Sequence, residues 1–478
     1  MGNACARLLP MRLLPSDFRS ERRRVRLRVP LLPIAVAVAV AVAGAAHAAD
    51  GADAPNRMAA PNPIDAIAAR TAALAPAATG VASALPSFTL TRLLELARAG
   101  NPGLAAARAE ALAARAGIAS ARAYPNPELQ VGASSSGARL AGAPAGTGGS
   151  VGLSQRIESP GLREARSRGS AASAEGARFA LQSAEQSLVA AIKTRFFDVL
   201  RVQELVLAAR EDVALTEQIQ ARIAVRVSAG EAPRFDLIRA ETEAALARTA
   251  LAQREAELSA VRAQLRELVA PSMPEAFAVD GDFHGSLEPA ARRLVGAESV
   301  AAHPEIRLAQ AERERARWQL QFERASLMPG VDLFVARERT PDLDTTRAGI
   351  GVRIPLLDRR AGPIEEAQQR LLRADAVAEQ RGFELSQRLE AAWHRYESAR
   401  ATVATLENGV LKQAQAVVGV AEAAYRFGER GILEYLDAQR QYRQLRNQLI
   451  GSRFEAFAAQ AELERLSSTI PTGVRIEN

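Results

Sequence analysis

The chain has 478 residues, 61 Lys and Arg against 54 Asp and Glu, a formal net charge of +7, and one cysteine. Residues 1–48 hold eight arginines and two acids, so the remainder, with 53 basic and 52 acidic residues, is nearly neutral and offers no footing for nucleic acid. The only cysteine is Cys5, so beyond residue 48 there is no disulfide and no thiol nucleophile.

Residues 1–48 read as a secretory signal peptide. Arg22, Arg23, Arg24, Arg26 and Arg28 form a basic region, Ile34 to Ala43 a short apolar run, and Ala46-His47-Ala48 a small-x-small cleavage site. Cys5 is removed with this segment, so no N-terminal lipid anchor is expected. No later stretch is apolar for the ~18 residues of a membrane helix, which leaves a periplasmic or secreted protein, or one that crosses a membrane as a β-barrel. Residues 49–87 are rich in Ala and Pro and read as a flexible leader.

Residues 88–270 read as helix, β-hairpin, long helix, turn and return helix. Phe88 to Ala99 is a short amphipathic helix opening at Thr89. Pro102 starts the next helix, where proline is tolerated, and Tyr124-Pro125-Asn126-Pro127 ends it. A hairpin over 128–157 follows, with strands at Glu128 to Ser134 and Ser150 to Ile157 joined by a Gly/Ala/Ser/Pro loop. Leu129, Val131 and Ala133 alternate on the first strand, and Val151, Leu153 and Ile157 on the second. Leu162 to Val227 contains no proline and predicts a helix on the order of 100 Å long. A tip turn at 228–233 leads to a return helix from Arg234 to Val269. Residues 271–300 read as a linker with a short equatorial helix.

The order then recurs over 301–470, ahead of a short tail at 471–478. Asn101-Pro102-Gly103-Leu104 returns as His303-Pro304-Glu305-Ile306, 202 residues on, and Pro127 before Leu129 as Pro329 before Val331. Gly230-Glu231 returns as Gly428-Glu429, 198 residues on. The second copy has a helix from Pro304 to Ser326, a hairpin over 331–354, a long helix from Pro363 to Tyr425, a tip turn at 427–431 and a return helix to about Leu466. Leu385, Leu389, Ala392, Tyr396, Ala399, Val403, Leu406 and Val410 step by four and three. One extra step of four leads to Ala414, Val417, Ala421 and Ala424, a stutter that straightens a coiled coil locally. The helices alone suit a soluble coiled coil as well as anything else.

The strands change that balance. Four strands cannot close a barrel, and an open edge in lipid is not viable. Three chains pooling their hairpins give about twelve strands, within the range of outer-membrane barrels. In each copy the short helix and the return helix together match the long helix in length, so end to end they can pair along all of it. The expected architecture is mainly α with a small β part: duplicated coiled-coil hairpins forming a periplasmic α-barrel, continuous with a trimeric β-barrel.

This layout resembles the TolC family of outer-membrane efflux proteins over nearly all of the chain after residue 88. The resemblance is carried by Leu90 to Ala99 before Asn101-Pro102, by Tyr124-Pro125-Asn126-Pro127-Glu128-Leu129, and by Gly428-Glu429-Arg430 before Glu434-Tyr435-Leu436-Asp437-Ala438-Gln439. Ser154-Gln155-Arg156-Ile157-Glu158, Gly161-Leu162-Arg163 and Pro355-Leu356-Leu357-Asp358-Arg359 look like the CzcC-type subgroup of heavy-metal exporters. The resemblance implies a homotrimeric duct in outer-membrane lipid, a periplasmic adaptor docking at its lower end, and an inner-membrane transporter of the RND type supplying energy. The duct itself is no enzyme and needs no cofactor.

The resemblance also places a gate at the helix turns, around 226–239 and 425–437. Tyr425 and Arg430 match the family's tip tyrosine and arginine, and Asp236 the acid facing them. Glu434 and Asp437 match two acids lining the constriction, with Glu434 standing where better-known drug exporters have Asp. Threefold symmetry turns each acid into a ring that attracts cations; ordinary ion pairing at a helix end is the plainer alternative. Gly230, Glu231, Gly428 and Glu429 form the tip turns where an adaptor docks. His284, His303 and His394 show no metal-ligand spacing, so no resident metal is expected. A TolC-like duct for organic drug efflux or type I protein secretion remains open, as does a periplasmic coiled-coil adaptor or scaffold.

Overall fold

The computed structural model describes residues 85–136, 146–290 and 296–468. The expected signal peptide, the expected leader up to residue 84 and the expected tail from 469 lie outside them.

Strand β1 is Ser87–Thr89, helix α1 Leu90–Gly100 and helix α2 Pro102–Arg122. Thr89 caps α1 by accepting from the Arg92 amide. Strands β2, Glu128–Ser136, and β3, Gly146–Ile157, form the first hairpin. Helix α3 then runs unbroken over Pro160–Ser228, 69 residues, capped by Ser159, and returns as α4, Arg234–Val269. The second copy comprises α5, Ala297–Ala302; α6, Pro304–Ala325; β5, Val331–Arg339; β6, Asp344–Val352; and α7, Ala361–Thr405. Helices α8, Leu411–Arg426, and α9, Ile432–Leu466, complete it.

Three features correct the sequence expectation. Strand β3 begins at Gly146 rather than Ser150, because Gly146, Gly148 and Gly149 pair in register with Ser136, Ser134 and Ala133. Residues 271–300 are more than a linker: β4, Ala278–Asp280, pairs in parallel with β1, reaching the end of the expected leader, and Phe277, Val279 and Phe283 are buried. The equatorial helix starts only at Ala297 and crosses into the second copy. The long second helix is also not a continuous α-helix. A π turn spans Leu406–Val410, where the Leu411 amide bonds to the Leu406 carbonyl. It coincides with the stutter, since a wider turn absorbs the extra step. Arg453, buried on α9, pairs with Glu407 of this turn at 2.7 Å and donates to the Phe283 carbonyl at 2.8 Å.

The helices form two rows. On the hairpin side α3 packs between α2 and α6, and α6 packs on α7; on the tip side α3 packs between α4 and α9, and α9 packs on α8. The rows meet around an apolar belt that includes Leu93, Ile192, Phe196, Val199, Leu265, Phe277 and Phe457. The strands form one antiparallel sheet in the order β2-β3-β5-β6. Register puts Leu129, Leu153, Val335 and Ala348 in one row across it, and Val131, Val151, Arg337 and Thr346 in the next. One face is therefore apolar over most of its height. The other carries Gln130, Ser150, Ser154, Arg156, Asp332 and Glu338. At the sheet–helix junction Arg163 lies over the Tyr124 ring at 3.9 Å, and Arg166 holds Glu158 at 2.7 Å.

Candidate functional site

Both tip turns use the same device. Gly230 and Gly428 each have φ of +76°, a conformation open to glycine. The amides that follow, of Glu231 and Glu429, bond back to the carbonyls of Arg226 and Ala424 at 2.8 and 2.9 Å, which closes each helix with a Schellman turn. Just above the tips, Ile219 and Ile223 of α3, Ala240 of α4, and Ile432, Tyr435 and Leu436 of α9 form a small buried cluster.

Tyr425 packs at the edge of this cluster. Its ring stacks parallel to Tyr435, with centroids 6.2 Å apart, and the Arg226 guanidinium lies 5.4 Å from its centroid. Arg226 of α3 thus meets Tyr425 of α8 within one chain. Burial pushes the Tyr435 hydroxyl above its usual range, opposed by a bond from Gln439 at 3.1 Å.

Arg430, in the tip turn, pairs with Glu434 in the first turn of α9 at 3.0 Å. Asp236 lies in the first turn of α4, and among the described residues no ion pair joins it to Arg430. Glu434 and Asp437 are exposed on one face of α9, but neither is a bare acid. Asp437 pairs with Arg440 at 2.8 Å and lies 3.9 Å from Arg239. Arg440 reaches on to Glu243 of α4 at 2.7 Å, and Arg443 approaches the same carboxylate at 3.5 Å. Glu243 is only 7% exposed, so this network ties α4 to α9 in a sheltered setting.

The sequence reading missed Arg226, Arg239, Glu243, Tyr435, Arg440 and Arg443. The spacing of Arg440, Arg443 and Arg446 by threes was a signal, since it lays them along one helix ridge. Arg446 pairs with Asp212 of α3 at 2.7 Å. Burial raises the Asp212 carboxyl, with the arginine opposing it.

His284 lies 3.5 Å from Glu204, and His394 lies 4.0 Å from Glu390. Among the described residues no group of three or more His, Cys, Asp or Glu is placed to hold a metal ion. No described helix is long and apolar enough to cross a membrane.

The sequence matches the family model for outer membrane efflux proteins over residues 93–270 and 296–469. It is 27% identical over 383 residues to the cobalt-zinc-cadmium resistance protein CzcC of Cupriavidus metallidurans, an alignment covering 79% of this chain and 90% of that protein. The fold matches crystal structures of CusC with a TM-score of 0.71 at 20% identity, covering 83% of this chain and 95% of the other. It also matches the open state of the Neisseria gonorrhoeae MtrE outer membrane channel, with a TM-score of 0.68 at 18% identity, covering 79% and 88%.

Proposed function

The chain belongs to the outer membrane efflux protein family, and from that premise we propose that it is the exit duct of a tripartite system exporting heavy-metal cations. The observation that carries the metal assignment is the similarity to the cobalt-zinc-cadmium resistance protein over most of both chains. The duct is a homotrimer, with residues 88–270 and 301–470 as two repeats of one wall. Among the described residues, strands β2 and β6 each have one unpaired edge. In a four-stranded antiparallel meander the two edge strands run oppositely, so β6 of one chain can pair antiparallel with β2 of the next and close a barrel without a break in alternation. The helical rows invite the same closure. Edge helix α8 carries Val417 and Val420 exposed, and edge helix α4 carries Phe235, Ile238 and Leu246 exposed.

The gate of this duct is built from Tyr425, Arg430, Glu434, Asp437 and Asp236, with Arg226 and Glu243 as in-chain ties. The tip turns at Gly230-Glu231 and Gly428-Glu429 receive the hairpins of a periplasmic adaptor, which couples the duct to an RND-type inner-membrane transporter. The test is growth of a deletion strain on cobalt, zinc, cadmium, nickel, copper and silver, beside bile salts, dyes and antibiotics. Sensitivity confined to metals, restored by the intact gene, is the expected result. Sensitivity confined to organic compounds keeps the duct and overturns the metal assignment.

A further inference from the structure

We propose that Arg337 and Arg339, at the hairpin end of the sheet, form a binding site for the phosphate of an anionic lipid in the outer leaflet of the membrane. The proposal rests on reading the sheet as part of a membrane barrel, with its apolar face toward lipid.

Strand register assigns each side chain to a face. On the apolar face β5 presents Val331, Leu333, Val335, Arg337 and Arg339, and β6 presents Val352, Ile350, Ala348, Thr346 and Asp344. The same face of β2 and β3 carries Leu129, Val131, Val151, Leu153 and Ile157. Among the described strand residues, Arg337, Arg339 and Asp344 are the charged side chains on that face, and all three stand together at the hairpin end. The other strand charges, including the Arg156–Asp332 pair at 3.2 Å and the Arg347–Glu338 pair, lie on the polar face.

Cost decides where the membrane boundary falls. An outward arginine costs about 2–4 kcal/mol at the bilayer midplane and about 0–1 kcal/mol near the interface. Two on one strand therefore fix the hairpin end at the headgroups. Length agrees, since a tilted strand crosses the hydrocarbon in roughly ten residues. Counting that far from the paired Arg337 and Thr346 toward the helices reaches Met328 and Leu356, which are 66% and 73% exposed.

The chemistry of the cluster suits a phosphate. Arg337 spends Nε and Nη2 on the two oxygens of Asp344, at 2.9 and 2.6 Å. That pair holds its guanidinium in place and leaves Nη1 available. Arg339 adds a second guanidinium on the same face, so the cluster carries net positive charge beside the acyl chains. A lipid phosphate satisfies both forks while its chains lie on Val335, Leu333 and Ile350, an arrangement a free anion cannot reproduce.

The experiment reconstitutes the purified trimer in phosphatidylcholine nanodiscs doped with bis-phosphorylated or dephosphorylated lipid A, and reads retained lipid by native mass spectrometry. The wild type is expected to retain the phosphorylated lipid. The double variant Arg337→Gln, Arg339→Gln should retain at least about tenfold less. Arg347→Gln, on the polar face, should match the wild type. Equal retention of the dephosphorylated lipid, or by the double variant, overturns the proposal. Ready displacement by inorganic phosphate makes the cluster a plain anion site and overturns the lipid assignment. Planar-bilayer conductance of the same preparation separates the two readings: trimers that conduct without retaining phosphorylated lipid sink only this inference, whereas failure to insert sinks the barrel reading too.

Discussion

His303 donates from Nε2 to the carbonyl oxygen of Arg465 at 3.3 Å, splicing the start of α6 to the end of α9. In the first copy Asn101 does the same, donating from Nδ2 to the Leu268 carbonyl at 2.7 Å and splicing α2 to α4. Each residue also caps its own helix. The Asn101 side chain accepts from the Leu104 amide at 2.8 Å and His303 Nδ1 from the Glu305 amide at 3.2 Å. Because Nδ1 accepts, the proton sits on Nε2, and the ring does both jobs only when neutral. These splices make two helices into one continuous partner for α3 and for α7 with its π turn and α8.

His303 is 1% exposed, and burial holds its pKa below the usual 6.5, with Glu305 and the Arg465 carbonyl opposing. The unfolded chain therefore binds the proton first, so the stabilisation is complete above about pH 6.5 and is lost as pH falls toward the depressed folded value. Thermal unfolding of the purified protein between pH 5 and pH 8, roughly the range in which histidine titrates, should show this loss. His303→Asn, which copies the first repeat, should remove the pH dependence and stay within about 1 kcal/mol of wild type at neutral pH. His303→Ala should cost about 1–2 kcal/mol at neutral pH, and less toward pH 5 as the wild type loses the contact. An acid slope unchanged in the Asn variant would exclude His303 as its source.

Among the described residues, Tyr425 meets Arg226 and Tyr435 through its ring. In single-channel recordings Tyr425→Phe should behave as wild type. Tyr425→Ala and Arg226→Gln should raise open probability about fivefold, the effect of losing ~1 kcal/mol of cation–π attraction. Elevated conductance in the Phe variant would show that the Tyr425 hydroxyl, not its ring, makes the contact that matters.

Glu434 and Asp437 each pair with a nearby arginine, Arg430 of the tip turn at 3.0 Å and Arg440 of α9 at 2.8 Å. Removing the acids together, as Glu434→Gln with Asp437→Asn, should weaken cation selectivity. Removing the base, as Arg440→Gln, should strengthen it by freeing Asp437. Reversal potentials that stay put in both variants would mean that these are surface ion pairs away from the ion path.

Glu243 forms ion pairs with both Arg440 and Arg443 while nearly buried. Glu243→Ala should destabilise the chain by about 2 kcal/mol, less than a fully buried pair would cost because Arg440 keeps contact with water. Denaturant unfolding with an unchanged midpoint would remove this network as a structural tie.

Gly428 and Gly409 make a contrasting pair. Gly428 has φ of +76°, so Gly428→Ala should cost about 1–2 kcal/mol through backbone strain. Gly409 lies in the π turn with open space where a Cβ would stand. Gly409→Ala should stabilise by about 0.5–1 kcal/mol. Equal effects on Tm would contradict the turn geometry.

Much of this molecule is written locally. Pro102 and Pro304 open helices, Gly230 and Gly428 close them, and Pro233 marks the next start, so these boundaries were legible from backbone stereochemistry, whereas α3 begins at Pro160, two residues before the expected Leu162. Alternation in Val331 to Val335 and Ala348 to Val352 identified the strands, whereas the extra step between Leu406 and Ala414 predicted only a local straightening of a continuous helix, not the π turn found there. Strands β1 and β4 were not legible, because three residues carry no period and their pairing joins positions about 190 residues apart. At the tips, the resemblance singled out Tyr425, Arg430, Glu434 and Asp437, but not Arg226 or Glu243. Local sequence thus determined the elements, their order and their duplication, since helix caps, turns and periodicity act over a few residues. Only the tertiary structure decided that His303 and Asn101 splice helices, that Glu243 gathers two arginines, and which sheet face carries Arg337. Those contacts form between segments far apart in the chain, and spacing along a sequence does not encode distance across a fold.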